Sequence, residues 1–294
     1  MNFKDYTIIK QLSLGASSVK KYIIEKDNQE YLLRLYDARF MSSRYLAFRN
    51  MKVLFDNNVP VPRVYEYGIL PDNIHGYAIL EWVKGISLEE LLVDEESEVF
   101  YGKEASLELI KMHSILGIES KNIQEKYMNT ILKRISKLKK LGVNFDFELI
   151  EEFVYNYSNV LKNCPTSIIH GDYHPGNIVV SNDKQYFIDL DVCQNDFAWN
   201  DLSANSCNMD YPLFYTSLIY SYFNGNIPEN FWMVYNLYGC LYCLDYILYC
   251  TRMYGKEIND GLNKLKKFLD FTNHLTNLQP SWFDDSILRK ERKK

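Results

Sequence analysis

Along the first 82 positions, apolar residues come in short runs interleaved with polar ones, the two-residue period of half-buried strands. Runs at 6–12, 18–25, 30–36, 64–70 and 77–82 predict five strands. Lys26-Asp27-Asn28 reads as a hairpin turn, and 71–76 as a second turn. One segment breaks the period. Residues 41–57 place Leu46, Met51, Leu54 and Phe55 at helical spacing and stop before Pro60-Val61-Pro62. At Gly85 the period lengthens. Ser87-Leu88-Glu89-Glu90 has the form of a capping box, and helical patterns follow at 99–116, 122–141 and 145–161. Short apolar runs return around a polar loop at 168–189, and helices resume from Pro212 to near Leu275. The pattern predicts an α+β chain in two lobes. Residues 1–83 form a small five-stranded antiparallel lobe with one helix; 84–294 form a large, mainly helical lobe. A hinge falls near Val83.

The polar loop concentrates the candidate chemistry. It reads His170-Gly171-Asp172-Tyr173-His174-Pro175-Gly176-Asn177 between two apolar runs, and the next strand ends Phe187-Ile188-Asp189-Leu190-Asp191. Loops held between buried strands are where a rigid scaffold presents reactive groups. Phosphoryl transfer asks for little covalent work: a positioned hydroxyl and neutralised phosphate charge suffice. Asp172 offers an acceptor for a hydroxyl proton. Asn177 and Asp189 offer the hard oxygens that Mg²⁺ prefers. The H-x-D-x-x-x-x-N spacing is that of a kinase catalytic loop, with Asp189 in the place of the later metal-binding Asp. His170 and His174 lie four apart in a loop with no third ligand, so they read as loop-fixing hydrogen bonders. His113, on an apolar helix, reads as a core histidine.

HGDYHPGN followed by FIDLD resembles the signature of the aminoglycoside phosphotransferase and choline kinase superfamily, the small-molecule branch of the protein-kinase-like fold. Asp196-Phe197-Ala198-Trp199-Asn200-Asp201-Leu202 is similar to that family's D-P-x-x-D-L-like stretch, and 222–232 to a helix junction of the aminoglycoside-type members. The resemblance implies a two-lobed kinase-like fold, ATP (GTP not excluded) with Mg²⁺, and a small hydroxyl-bearing acceptor. By resemblance Asp172 is the catalytic base, and Asn177 and Asp189 are metal ligands. Ser17 and Ser18, in the turn between the first two strands, would cover phosphates. Arg34 stands where a kinase has its phosphate-binding Lys. Residues 78–83 resemble the hinge strand, so backbone groups of Glu81 and Val83 would bind adenine. One departure stands out. The acid expected on the 41–57 helix to pair with Arg34 is missing: Asn50 aligns best, and Asp56 is the sole carboxylate there. A nucleotide-binding module with weak catalysis is the alternative this favours.

Charge narrows the partners. The net charge is −5 with no long basic stripe, which argues against nucleic acid. Residues 1–7 carry no apolar leader, and 234–250 is interrupted by Asn236 and Asp245, so neither export nor membrane insertion is expected, and the reading is cytoplasmic. Six cysteines, two of them spaced CxxC within an apolar helix, then read as reduced core residues. Between 172 and 210 stand seven Asp and one Lys. Of these, Asp191, Asp196 and Asp201 are expected to favour a cationic acceptor, an aminoglycoside-like antibiotic or an amino-bearing metabolite. Asp201 reads equally well as a cap holding the catalytic loop. Choline or macrolide acceptors stay open, as do monomer and dimer. An antibiotic acceptor would make this a resistance enzyme.

Overall fold

The hairpin expected at Lys26-Asp27-Asn28 forms on a two-residue turn. Asp27 and Asn28 have φ of 53° and 60°, the backbone a type I′ turn requires and that Asp and Asn tolerate. The turn fixes the register: Lys26 pairs with Gln29, so Lys21 falls directly opposite Arg34. The computed structural model describes residues 2–12, 19–116, 123–203, 210–252 and 256–291.

In chain order, β1 (Asn2–Phe3), β2 (Tyr6–Leu12), β3 (Lys20–Lys26) and β4 (Gln29–Asp37) precede helix α1 (Met41–Asp56), followed by β5 (Val64–Ile69) and β6 (His75–Glu81). They build one antiparallel sheet in the order β1-β2-β3-β4-β6-β5. The five expected strands and their helix are all present, and β1 merely lengthens one edge. Next come β7 (Ile86–Ser87) and α2 (Leu88–Leu91), a single helical turn. The long helix α3 (Glu95–His113) begins before position 99 because Asp94 caps it, rather than Ser87. The Asp94 carboxylate accepts from the Ser97 N–H (2.8 Å), and the Asp94 N–H donates back to Ser97 Oγ (3.1 Å). Then follow α4 (Ile123–Lys140), α5 (Glu148–Tyr157), β8 (Thr166–Ile169), β9 (Ile178–Ser181), β10 (Lys184–Phe187), β11 (Gln194–Phe197) and α6 (Asn200–Ser203). The chain ends with α7 (Pro212–Tyr222), α8 (Phe231–Cys250), α9 (Ile258–Phe271) and α10 (Ser286–Glu291).

The chain divides into two compact units: Met1–Leu91 with Pro175–Gln194, and Leu92–His174 with Asn195–Lys294. In the first, Ile24, Leu33, Tyr77 and Ile79 form a small core on one face of the sheet. Strand alternation puts Lys21, Arg34 and Tyr36 on the other face. Helix α1 buries Met41, Ala47, Phe48, Met51 and Leu54, while Leu46 and Phe55, two of the positions that predict it, point outward. A Cβ at Gly76 would stand 2.2 Å from the Met41 sulfur, so a side chain there would force Met41 on α1 to move aside. Strands β9 and β10 form a hairpin, and β7 pairs with β9.

In the second unit, α3 and α7 pack closely. Glu98 on α3 accepts from the N–H groups of Leu213 and Phe214 (2.9 and 3.1 Å), satisfying donors that the start of α7 would otherwise leave open. Helix α8 is buried on nearly every side, from Val234 and Leu237 through Cys240 and Leu244 to Leu248. Among the described residues no helix is long and apolar enough to cross a membrane. Cys164, Cys193, Cys240, Cys243 and Cys250 are reduced and buried; Cys207 lies outside the described residues.

Candidate functional site

In the first unit, two cations on β3 and β4 close on the carboxylates that end the β10 segment. Arg34 has 3% side-chain exposure, and its Nη2 lies 2.7 Å from Asp189 Oδ1 and 2.6 Å from Asp191 Oδ2. Lys21 Nζ donates to the other Asp189 oxygen, Oδ2, at 3.0 Å. Tyr36 OH donates to Asp191 Oδ1 (3.1 Å), and an Arg44 N–H donates to the Asp191 carbonyl. Burial alone would push the Asp189 carboxyl up. Arg34 and Lys21 outweigh it and hold the group well below the usual carboxylate range. Burial likewise disfavours the charged form of Arg34, and is outweighed by Tyr36, Asp191 and Asp189.

Asp189 adopts φ 61°, in the left-handed region. Such a residue costs of order 1–3 kcal/mol and persists only where its surroundings over-determine it. Here the determinants are visible. The Ile188 N–H donates to the Asn177 carbonyl (2.9 Å), and the Phe187 N–H to the Pro60 carbonyl (2.8 Å). The first of these fixes the Asn177 backbone one residue from Asp189. The backbones of the two expected metal ligands, one a carboxylate and one a carboxamide, are thus neighbours. Such a hard-oxygen pair suits Mg²⁺, which fills its remaining positions with water and phosphate. Among the described residues no group of three His, Cys, Asp or Glu side chains forms a metal site of its own.

Arg34 therefore has its carboxylate partners, but not from α1. Asn50, the position aligned with the missing acid, donates through Nδ2 to the Cys193 carbonyl (3.2 Å). Asp191, read from the sequence as facing the acceptor, lies in this cluster. Glu81 closes the end of β6: its N–H donates to the Arg63 carbonyl (2.8 Å), and its side chain accepts from the Arg63 N–H (3.0 Å). Val83 lies half-buried in the irregular stretch that follows. Ser17 and Ser18 lie outside the described residues.

In the second unit the loop carrying Asp172 hangs from one carboxylate. Asp201, its side chain at 0% exposure, accepts from the His170 N–H at Oδ2 (2.7 Å) and the Gly171 N–H at Oδ1 (2.8 Å). His113 Nε2 lies 3.1 Å from the same Oδ2, and its Nδ1 lies 2.9 Å from Tyr222 OH. Gly171 takes φ 84°, which a side chain would resist. The Asp172 N–H donates to His170 Nδ1 (3.3 Å), and Asp172 itself is exposed. Asp196 accepts from the Phe197 N–H (2.7 Å) and Tyr238 OH (2.9 Å). Its burial outweighs these donors and raises its pKa.

Lys21, Tyr36 and Arg44 are the residues that motif reasoning missed, since none belongs to a motif. For Lys21 a signal existed in the hairpin turn, which sets it across from Arg34.

The family model for the phosphotransferase enzyme family matches residues 8–218. No curated protein sequence is similar to the chain. Several solved structures share its fold. A thermostable variant of aminoglycoside phosphotransferase APH(4)-Ia, in ternary complex with ADP and hygromycin B, is 14% identical, covering 93% of this chain and 96% of that one with a TM-score of 0.65. A putative fructosamine-3-kinase from Haemophilus somnus 129PT is 17% identical over 90% and 92%, also with a TM-score of 0.65. The Plasmodium vivax ethanolamine kinase is 17% identical over 90% and 81%, with a TM-score of 0.61.

Proposed function

The chain belongs to the phosphotransferase enzyme family and is a small-molecule kinase, and from that premise we propose that it moves the γ-phosphate of ATP, with Mg²⁺, to a hydroxyl of an amine-bearing small molecule. The observation that carries the reading is the Ile188 N–H bond to the Asn177 carbonyl, which sets the Asn177 backbone one residue from Asp189, itself held by Arg34 and Lys21. The 1–83 lobe is assigned to the nucleotide and the 84–294 lobe to catalysis and the acceptor. Backbone groups of Glu81 and Val83 take the adenine; Ser17, Ser18 and Arg34 take phosphates. Asp172 accepts the proton of the acceptor hydroxyl as its oxygen bonds to the γ-phosphorus and the bond to ADP breaks. Asp201 holds the loop in place through its two backbone acceptors. Mg²⁺, when bound by Asp189 and Asn177, neutralises the phosphate charge that develops.

Replacing Asp189 by Ala should weaken Mg²⁺-dependent ATP binding more than Asn177→Ala does, because only the carboxylate brings charge. Calorimetry with and without Mg²⁺ checks this. Indifference of both variants to Mg²⁺ would place the metal elsewhere.

An amine on the acceptor is supported by the names of the three structural relatives, each a kinase for an amino-bearing compound. The excess of Asp over Lys between 172 and 210 points the same way. The test is ADP release with a panel of aminoglycosides, ethanolamine, choline, a fructosamine and a neutral polyol, with GTP as competing donor. Amine-bearing acceptors should turn over, and their KM should rise with salt, since exposed charges are screened over about 8 Å at physiological ionic strength. Turnover of the polyol alone would overturn the preference.

The missing helix acid favours a second reading, a weakly catalytic nucleotide-binding module. Against it, Asp191 supplies Arg34 with a carboxylate from 157 positions away.

A further inference from the structure

Two cations directly opposite each other on neighbouring strands repel, and sheets normally avoid the arrangement. Lys21 and Arg34 form such a pair on the face of the sheet turned away from its small core. The apolar core gives no reason for Lys21 to be there, since Ile23, two residues on along the same face, is an ordinary strand residue. Lys21 is nonetheless drawn in, with 14% side-chain exposure, and its ammonium rests on Asp189 Oδ2. Each oxygen of Asp189 thus carries one cation.

The local charge does not balance. Among the described residues, Lys21, Arg34 and Arg44 contribute three positive charges against the two carboxylates of Asp189 and Asp191. Two buried donors, Arg34 Nε and Arg44 Nε, have no hydrogen-bond partner among the described residues. Buried guanidinium donors without acceptors are costly, and both the surplus charge and the open donors call for an anion. The anion the reaction supplies is the polyphosphate of the nucleotide. Were Asp189 to hold Mg²⁺, Lys21 would lose its carboxylate and Arg34 would keep only Asp191, and a phosphate oxygen is the group that would replace Asp189.

We propose that Lys21 is a second nucleotide-phosphate ligand, which grips the polyphosphate alongside Arg34 and rests on Asp189 in its absence. The proposal builds on the nucleotide reading above and adds a residue that lies in no recognised motif. Lysine suits this role, because its ammonium is a compact point charge on a flexible stem and can move from a carboxylate to a nearby phosphate.

The test uses the full chain and binding, not turnover. Affinities for Mg·ATP and for adenosine are measured by calorimetry in wild type, Lys21→Met and Lys21→Arg. Lys21→Met should weaken Mg·ATP binding about tenfold or more, as expected for loss of a charge-assisted contact, and leave adenosine binding within a factor of two. Lys21→Arg should recover most of the loss. An equal loss for adenosine would make Lys21 a structural residue and overturn the proposal. So would unchanged or tighter Mg·ATP binding in Lys21→Met, the latter marking Lys21 as a competitor of Mg²⁺ for Asp189. A wild type that binds no nucleoside triphosphate would instead sink the nucleotide reading itself, and this proposal with it.

Discussion

Asp172→Asn should lower phosphoryl transfer by about 10²–10⁴-fold, the usual contribution of a general base, while Mg·ATP affinity stays within a factor of two. In barrier terms that is about 3–5 kcal/mol. The amide has the shape of the carboxylate but cannot take up the hydroxyl proton. The His170 and Gly171 N–H groups on Asp201 are untouched by the substitution, so this anchor of the loop should hold. The measurement is single-turnover transfer to an acceptor identified from the panel, alongside nucleotide binding. A rate within twofold of wild type sinks the assignment of Asp172. A parallel loss of nucleotide affinity means the loop has moved, and makes the residue structural.

Arg34→Met should be the most destabilising of the substitutions considered. The guanidinium is almost fully buried and bridges Asp189 and Asp191, and breaking a buried ion pair costs about 3–5 kcal/mol. Lys21 and Arg44 offset part of this for one carboxylate each, so the lower end of that range is expected. Denaturant unfolding at pH 7 gives the number. The acid limb gives an independent check. Because its folded pKa is depressed, Asp189 contributes stability above the ordinary carboxylate pKa of about 4, and that contribution fades as pH falls through the lower folded value. With Arg34 gone the depression shrinks, so the stability curve between about pH 4 and pH 2 should flatten. A loss under 1 kcal/mol with an unchanged acid slope would mean that the carboxylates do not depend on Arg34.

How much of this was legible in the sequence depends on the range of the interactions involved. The five strands and the 41–57 helix follow from local period, and they form where expected. The loop around Asp172 and the strand leading to Asp189 are motif-dense, so their residues could be picked out one by one. The partner of Arg34 could not. Alignment with kinases directs attention to α1, whereas the carboxylates come from a segment about 155 residues downstream, and only the folded chain brings them to β4. Asp201 was ambiguous for a related reason. A buried carboxylate with two backbone donors and an exposed one facing a cation have the same local sequence. Lys21 is the instructive miss. A type I′ turn at Asp27-Asn28 fixes the pairing of every residue behind it, so counting back five from Lys26 and forward five from Gln29 pairs Lys21 with Arg34. The turn was readable; its consequence for charge lay five residues away.

The first unit is built from two stretches of chain, and this has a consequence for the order in which it is made. The sheet and α1, with Lys21, Arg34 and Arg44, are synthesised long before Asp189 and Asp191. From the end of β6 at Glu81 to Asp189, at about 5–20 residues per second, the interval is roughly 5–20 s, far longer than the microseconds a hairpin needs to form. During that interval the nascent sheet holds a crowded set of positive charges with no carboxylate to meet them. It has two ways to lower its energy: leave β3 and β4 loosely paired at the Lys21 end, or borrow a polyanion from its surroundings. Each makes the β10 segment the step that completes the unit, so a ribosome stalled before Asp189 carries a sheet that is complete in backbone and still unbalanced in charge.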